Sequence, residues 1–253
     1  MTYFRELPDL EYLSPLLSKG TSKEYIMVKN LLFWGGKYKA AIIYDLIKKN
    51  NILLKKSDLR VKFIFDPNLK SPKFNTNAKF SNNKKDLEEF IKKSHYFITC
   101  IGNELGMARY LISRELEKKG LRPLSIVSKD AKIYSSFIGT GVQLFPNSII
   151  QNNAKVGDFS ILNTGSILEH DTEIGNGVHL MPGCVIGGNA IIKDYVTIGM
   201  NATILPGVVV EQGSYIGAGA VVTKNVEKNN VVTGNPARYL KKAKHNFDLK
   251  FFK

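Results

Sequence analysis

The second half of the chain repeats a pattern of six positions. From residue 125 to residue 226 the sequence divides into seventeen blocks of six, and the second position is Ile, Leu or Val in every block except the one that carries Lys132. The last position is nearly always Ser, Ala, Thr, Cys or Val. Since helices repeat at about 3.6 residues and ordinary strands at two, this period indicates neither. It is typical of a parallel β-helix, in which each block is a short strand and a turn with the aliphatic residue pointing inward.

The preceding residues follow a different pattern, in which apolar runs alternate with amphipathic stretches. The runs "VKNLLFWGG", "LRVKFIFDPN" and "HYFITCIGN" read as strands, whereas "KYKAAIIYDLIKKN" and "ELGMARYLISRELEKKG" have helical spacing. Such alternation predicts a Rossmann-like α/β domain with a small parallel sheet over residues 24–122. Its ligand site should lie at the carboxyl ends of the strands. Those ends carry Gly35, Gly36, Asp66, Gly102 and Asn103.

The remaining segments complete a four-part division of the chain. Residues 1–23 fit neither pattern and form an N-terminal extension, and residues 123–227 form the β-helix. Residues 228–253 leave the repeat and are expected to end as a short helix that caps the open end of the β-helix, where strand edges would otherwise be exposed.

Composition narrows the class of protein. The chain has 253 residues, is 43% hydrophobic and contains no apolar run near the roughly 20 residues of a membrane helix, so we expect a cytoplasmic globular protein. A formal net charge of +14 would attract polyanions. The lysines are scattered in short pairs, however, which favours a solvated surface over nucleic-acid binding. Cys100 and Cys184 lie far apart without a Cys-x-x-Cys spacing, so we expect buried thiols rather than a disulfide or zinc site.

Two stretches resemble a known family. "NTGSILEHDTEIGNGVHLMPGCVIGG" and the closing "VVTKNV…VVTGNPAR" are similar to the hexapeptide-repeat sugar acetyltransferases of the bacillosamine and perosamine N-acetyltransferase and sialic-acid O-acetyltransferase type, over roughly residues 29–242. The resemblance implies a left-handed β-helix whose coils each contain three blocks, which gives between five and six coils. It also implies acetyl-CoA as cosubstrate, a nucleotide-sugar substrate, no metal, and a homotrimer with active sites between subunits.

One turn departs from the family pattern. The family usually has Gly-x-Gly-Gly-His-Ala-Lys after its first strand, whereas residues 35–41 read "GGKYKAA", with Lys37 and Tyr38 at glycine places. Glycines there let backbone amides approach a phosphate, and their replacement restricts the backbone. Lys37 and Lys39 can supply charge instead. We therefore expect Gly35, Gly36, Lys37, Asp66, Gly102 and Asn103 to contact the nucleotide sugar.

His170 is the candidate catalytic base. Acetyl transfer to an amine requires removal of a proton, donors for the oxyanion and alignment of the two reactants. A histidine whose second ring nitrogen is oriented by a carboxylate suits the first task. The resemblance places the family's general base on His170, and Asp171 follows it directly, although neighbours on a strand tend to point apart.

The resemblance also assigns the other site residues. Asn163 and His179 would contact the sugar or the acetyl group, and the N–H of Gly188, one coil above His170, would donate to the thioester carbonyl. The pantetheine groove would be bordered by Gly199, Ala218 and Pro236, with Lys224 and Arg238 near the phosphates. Because His179 is nine residues beyond His170, half an expected coil, the two should face different sides of one subunit, which predicts a site assembled between chains.

Several alternatives remain open at this point. O-acetylation of a sialic acid or related sugar would use the same base and cosubstrate. A γ-type carbonic anhydrase needs three histidine ligands for its zinc, whereas these coils hold two histidines. A non-catalytic trimeric scaffold needs no site at all. Individually, the histidines can be solvated turn residues, Asn163 part of an asparagine ladder, Gly188 a turn glycine, and Lys224 and Arg238 surface charges.

Overall fold

The computed structural model describes residues 29–49, 51–52, 59–134, 136–245, 247 and 249. The predicted N-terminal extension, residues 1–23, lies outside the described residues. No helix in the described part of the chain is long and apolar enough to cross a membrane.

The first part of the chain forms a parallel five-stranded sheet with three helices, which confirms the predicted α/β fold. The elements are β1 (Lys29–Trp34), α1 (Tyr38–Lys48), β2 (Leu59–Phe65), β3 (Lys79–Ser81), α2 (Lys84–Lys92), β4 (Tyr96–Thr99), α3 (Gly106–Lys118) and β5 (Arg122–Pro123). The strand order is β3-β2-β1-β4-β5. The strand order changes direction between β1 and β4, where such sheets open a ligand crevice beyond the strand ends. Gly35 and Gly102 follow these two strands at that edge of the sheet.

The second part is the predicted β-helix, built from two-residue strands. These are β6 (Ile126–Val127), β7 (Lys132–Ile133), β8 (Phe137–Ile138), β9 (Gln143–Leu144), β10 (Ile149–Ile150), β11 (Lys155–Val156), β12 (Ile161–Leu162), β13 (Ile167–Leu168), β14 (Glu173–Ile174), β15 (His179–Leu180), β16 (Val185–Ile186), β17 (Ile191–Ile192), β18 (Thr197–Ile198), β19 (Thr203–Ile204), β20 (Val209–Val210), β21 (Tyr215–Ile216) and β22 (Val221–Val222).

The strand register confirms the three-block coil. Ile149 pairs with Ile167, and Ile167 pairs with Val185, so each strand lies beside the strand 18 residues later. The strands form three parallel faces, and the aliphatic second positions, such as Leu168 and Ile186 at 0% exposure, fill the interior. Lys132, the exception to the pattern, is exposed in the first coil.

The fifth position of each block shows a second regularity. From Gly141 to Gly219 every fifth-position residue has a positive φ, which turns the chain at each corner. Glycine adopts this conformation freely, and Asn and Asp tolerate it better than other residues. They occupy all of these places except two, which hold Phe159 and Tyr195.

The two aromatic exceptions dock the α/β domain. Phe159, Gly177 and Tyr195 occupy equivalent positions in successive coils, and the ring of Tyr110 on α3 lies 5.9 Å from the Phe159 ring and 5.6 Å from the Tyr195 ring. Between the aromatic rings, a Cβ on Gly177 would lie 2.7 Å from the carbonyl oxygen of Gly106. The glycine therefore leaves a notch for the start of α3.

Arg109 fixes α3 in this notch through hydrogen bonds to the β-helix. Its side chain is fully buried. Its guanidinium donates to the carbonyl oxygens of Phe159 at 2.7 Å, Gly177 at 2.7 Å, Val178 at 3.1 Å and, within the α/β domain, Ile101 at 2.9 Å. Burial lowers the pKa of Arg109 to about 9, which leaves the side chain protonated at neutral pH.

The α/β domain covers one face of the β-helix, which we call the docking face. This is the eight-stranded sheet β24-β23-β21-β18-β15-β12-β9-β6, in which β23 is Asn230–Thr233 and β24 is Arg238–Lys242. First-position side chains point outward from a coil, yet on this face four of them are at most 2% exposed: Gln143, Ile161, His179 and Thr197. The domain core continues onto the docking face, because Phe145 and Ile161 pack with β1 and α1.

The described residues of the tail form a hairpin and not the predicted capping helix. Residues Asn230–Thr233 form β23 and Arg238–Lys242 form β24, an antiparallel hairpin whose first strand pairs with β21 in parallel. "NVVT" favours extended backbone, and the following Gly-Asn-Pro turn interrupts a helix. The open end is thus covered by strand pairing, and the exposed edge strand is rich in Arg and Lys, which discourages edge-to-edge association.

Replacement of Arg109 by leucine should weaken the docking of the α/β domain. The change removes the donors of buried carbonyl groups, so we expect a loss of about 3 kcal/mol in the free energy of unfolding. The chain has a single tryptophan, Trp34 in β1, so its fluorescence during urea unfolding reports on this domain. Arg60→Leu, at an exposed arginine, is the control. Equal urea midpoints for the two variants would contradict the locking role of Arg109.

Candidate active site

His170 lies at an exposed corner of the β-helix. It is the fourth residue of its block, in the turn between β13 and β14, and buried Leu168 and Ile174 anchor the strands on either side. Its side chain is 57% exposed. The repeat therefore holds the backbone of this turn in place while leaving the imidazole accessible.

His170 and Asp171 form a hydrogen-bonded pair. The Nδ1 atom of His170 lies 2.8 Å from Oδ2 of Asp171. Adjacent residues on a strand point apart, but Asp171 has a φ of 57°, and this left-handed turn brings the two side chains together. Since a carboxylate only accepts, Nδ1 carries the hydrogen and Nε2 presents a lone pair. The hydrogen bond from His170, followed by one from Asn153, lowers the pKa of Asp171 below its ordinary value.

Gly188 lies directly against the imidazole, as its position one coil above His170 predicts. A Cβ at residue 188 would be 2.6 Å from both Cε1 and Nε2 of His170, so a side chain there would displace the ring. Among the described residues, the N–H of Gly188 is not engaged in any hydrogen bond. His170, Asp171 and Gly188 thus form one group, which we call the His170 corner.

His179 belongs to a second group, at the junction of the two domains. It is 2% exposed, so the interpretation as a solvated surface residue is wrong. Its Nδ1 lies 3.1 Å from the carbonyl oxygen of Asn103, and its Nε2 has no partner in the described part of the chain. A Cβ at Gly102 would lie 3.8 Å from its Cε1. The structure therefore joins His179 to the strand end Gly102–Asn103, two features that the sequence placed separately.

Lys39 reaches the same junction. Its Nζ lies 4.3 Å from the centre of the Phe145 ring, and its Cε is 3.3 Å from the place of a Cβ at Gly102. Burial, with a smaller contribution from Arg109, lowers the pKa of Lys39 to about 8. Lys37, in contrast, is exposed at the start of α1 and makes no side-chain capping hydrogen bond. We call Lys39, Gly102, Asn103 and His179 the junction cluster.

Asp66 braces the turn after β1. Its Oδ2 accepts a hydrogen bond from the N–H of Gly36 at 2.9 Å, and its Oδ1 accepts one from the N–H of Asn68 at 3.0 Å. Gly35 has a φ of 107°, and a Cβ there would lie 3.1 Å from the carbonyl oxygen of Cys100, so only glycine fits. The Gly36 amide is thus already paired, which leaves it unavailable to a phosphate in this conformation.

The remaining predicted site residues have varied surroundings. Asn163 accepts a hydrogen bond from the N–H of Thr164 at 2.9 Å, within its own turn rather than in a ladder between coils. Gly199 packs against the next coil, because a Cβ there would lie 2.6 Å from the Ala218 nitrogen. The others are exposed: Ala218, Lys224, Pro236 and Arg238. Lys224 stands three coils above His170 at the same corner.

The two groups lie on opposite sides of the β-helix. The His170 corner separates the sheets of β13 and β14, whereas His179 lies on β15 in the docking face, which is the third side of the prism. The structure therefore does not bring His170 and the junction cluster together within one chain. The sequence did not identify Arg109 or Asn153 as candidates. Asn153 could have been found because it lies 18 residues, one coil, before Asp171. No pattern in the sequence indicates the role of Arg109.

The comparisons with known proteins fit this architecture. The bacterial transferase hexapeptide family (six repeats) matches residues 171–205 and 189–224. No curated protein matches the sequence. The described residues contain no group of three His, Cys, Asp or Glu side chains suited to a metal ion.

Several solved structures match this chain over nearly their own full lengths. GDP-perosamine N-acetyltransferase from Caulobacter crescentus, in complex with CoA and GDP-perosamine, is 20% identical with a TM-score of 0.72, over 85% of this chain and 98% of that one. The PglB acetyltransferase domain from Neisseria gonorrhoeae, in complex with acetyl coenzyme A, is 20% identical with a TM-score of 0.72, over 84% and 99%. WeeI from Acinetobacter baumannii is 28% identical with a TM-score of 0.71, over 83% and 99%.

The chain is therefore a hexapeptide-repeat β-helix with an α/β domain in front of its coils, and part of its repeat, residues 171–224, is similar to the bacterial transferase hexapeptide family. The resemblance to the sugar acetyltransferases is confirmed for the repeat and for the whole fold.

Burial of His179 should make stability pH-dependent. Burial, followed by the charges of Arg109 and Lys39, lowers the pKa of His179 from 6.5 to about 3. Between these values the unfolded chain binds a proton that the folded chain does not, so stability falls as the pH falls, by up to about 1.4 kcal/mol per pH unit. Urea titrations from pH 7 to pH 4 should show a smaller slope for His179→Gln. The control His95→Gln, at an exposed histidine, should keep the wild-type slope, and equal slopes for all three proteins would refute the buried neutral state.

Proposed function

We propose that the protein is an acetyl-CoA-dependent N-acetyltransferase that acetylates the amino group of a nucleotide-linked 4-amino-4,6-dideoxysugar, in surface glycan biosynthesis in the cytoplasm. The observation that carries the proposal is the His170 corner: an accessible imidazole, oriented by a carboxylate, against a glycine with an unpaired N–H. The similar structures that contain CoA with GDP-perosamine, or acetyl coenzyme A, support the substrate class.

In the proposed reaction His170 moves the proton. Nε2 takes a proton from the sugar amine as the amine nitrogen attacks the thioester carbonyl, and Asp171 stabilises the resulting imidazolium through Nδ1. The N–H of Gly188 stabilises the oxyanion of the tetrahedral intermediate. The carbon–sulfur bond then breaks, and the imidazolium returns the proton to the CoA sulfur. The products are an amide and free CoA, and the enzyme is restored.

The corner above His170 suits the extended cosubstrate. Gly188 and Lys224 lie one and three coils above His170 in the same column, so Lys224 is about 14 Å away along the helix axis at about 4.8 Å per coil. A phosphate bound there would leave the thioester end of an extended arm near His170. Arg238 and Pro236, in the exposed closing hairpin, supply further contacts for the phosphates or the groove. Gly199 and Ala218 lie at the neighbouring corner, between the docking face and the sheet of β13, and would border the groove from there.

The junction cluster is the proposed sugar-nucleotide site. It lies at the carboxyl ends of β1 and β4, where Gly102, Asn103 and His179 provide polar atoms. Because the Gly36 amide is bound by Asp66, the charge of Lys39 replaces the glycine amides of the usual family turn. Asn163 follows β12, the strand that pairs with the strand of His179, and would contact the sugar or acetyl group from the same chain.

A homotrimer would complete the site. In one chain the junction cluster lies across the prism from the His170 corner, so the two groups meet only when another copy contributes one of them. The face that contains β13 carries outward β-branched residues that are partly buried in the single chain: Ile149, Ile167, Val185 and Val221. An apolar stripe on the outside of a solenoid is typical of a surface that contacts another subunit.

Acetyl transfer should depend on His170. We expect wild-type protein to release CoA thiol with at least one member of a panel of UDP-, GDP- and dTDP-aminosugars, and His170→Ala to lower kcat by about 10²- to 10⁴-fold. His95→Ala, on the α/β domain, should retain the wild-type rate and serves as the control.

Mass spectrometry of the product distinguishes the base-stable amide from the base-labile ester of an O-acetyltransferase. Equally slow thiol release by wild type and His170→Ala with every sugar would overturn the proposal.

A further inference from the structure

We propose that Asn153 is a positioning residue for His170: its side-chain amide fixes Asp171 in the orientation that holds the imidazole. This inference rests on the proposed function for its catalytic meaning. The arrangement itself is a chain of two hydrogen bonds. Nδ2 of Asn153 donates to Oδ1 of Asp171 at 3.1 Å, and Oδ2 of Asp171 accepts from Nδ1 of His170 at 2.8 Å.

The repeat places Asn153 and Asp171 in equivalent positions. Both are fifth-position residues at the same corner, one coil apart, with φ values of 61° and 57°. The shared left-handed backbone directs two short side chains to meet between the coils. Asn189, one coil above Asp171, has a similar φ of 58°, yet its side chain makes no hydrogen bond to Asp171 among the described residues. Asp171 therefore bonds to the asparagine of the coil below it and not to the asparagine of the coil above it.

Exposure explains why a third residue is needed. The side chains of His170 and Asp171 are 57% and 44% exposed, and water competes strongly with such a pair. A carboxylate held through one oxygen alone can rotate away from the imidazole. When Asn153 occupies the second oxygen, it restricts that rotation and keeps Oδ2 directed at Nδ1. The ring then stays in the tautomer that presents a lone pair at Nε2.

No other charged residue on the adjacent turns can replace this arrangement. The turn below carries Asn152 and Asn153, and the turn above carries Gly188 and Asn189, all of them uncharged. Glu169 and Asp171 are the acidic residues on the turn of His170 itself, and Asp171 is the one that contacts the ring. Replacement of Asn153 by a neutral residue therefore removes the hydrogen bond to Asp171 without changing the charge around His170.

Two substitutions and one control separate the amide from backbone effects. Asn153→Gly keeps the left-handed backbone, removes the amide and leaves the charge unchanged, whereas Asn153→Asp keeps the side-chain shape, removes the donor and adds a negative charge beside Asp171. The control is Asn147→Gly, at a fifth position with a φ of 60° in a different corner column. Far-UV circular dichroism should show the same folded β-helix for all four proteins, and the comparison with Asn147→Gly corrects for the general cost of replacing asparagine by glycine.

The first readout needs no substrate. Long-range ¹H–¹⁵N spectra at a pH where the imidazole is neutral report which ring nitrogen carries the hydrogen, and the His170 signals are those missing in His170→Ala. We expect the Nδ1–H tautomer of His170 in the wild type and Asn147→Gly, and a shift toward the Nε2–H tautomer in Asn153→Gly and Asn153→Asp. An unchanged tautomer in both Asn153 variants would overturn the inference.

The second readout is kinetic and separates the two proposals. We expect Asn153→Gly to lower kcat about tenfold, with the KM for acetyl-CoA unchanged, as for loss of one hydrogen bond to a charged group. If the tautomer shifts but wild type transfers acetyl to no aminosugar, the proposed function fails and the positioning role of Asn153 stands. If wild type is active but tautomer and kcat are the same in Asn153→Gly, the positioning role fails and the proposed function stands.

Discussion

The guanidinium of Arg109 connects the parts of the molecule on which the candidate site depends. It is fully buried on α3 and donates to carbonyl groups of two adjacent coils and to Ile101, just before the strand end Gly102–Asn103. A buried cation is costly unless its donors are paired, and backbone carbonyls of a rigid solenoid pair them without a carboxylate. The α/β domain is thereby fixed on the docking face, and its strand end Gly102–Asn103 lies against His179.

This fixed docking has a consequence for catalysis. The three faces of the β-helix allow the domain to cover one side while the opposite corner remains exposed, and His170 stands at that corner. The coils form a continuous packed core, and the junction around Arg109 is apolar and aromatic. This packing holds the junction cluster away from the imidazole of the same chain. Under the proposed function, one chain would therefore supply the base and another the sugar site.

Most of the fold was predictable because it follows from periodicity. The six-residue repeat placed every buried second-position residue, and Gly188 against His170 followed from counting 18 residues. The pairing of His170 with Asp171 was less accessible, since it depends on the left-handed φ of residue 171. The same fifth-position rule would have marked Phe159 and Tyr195 as anomalies, and these turned out to be the docking residues. Arg109 left no pattern in the sequence, because its partners are backbone carbonyls. A helix was expected in the tail because it would cap the exposed strand edges, but "NVVTGNP" favours a hairpin, which pairs with one of those edges instead.

Subunit complementation tests the shared site most directly. Two inactive variants, His170→Ala and His179→Gln, carry different affinity tags and are co-expressed, and the mixed oligomers are isolated through both tags. If each site combines the His170 corner of one chain with the junction cluster of another, every mixed trimer has one intact site of its three, and acetyl transfer reappears at about a third of the wild-type rate. If each chain works alone, every site keeps one defect, and mixed oligomers no more active than either variant would contradict the account.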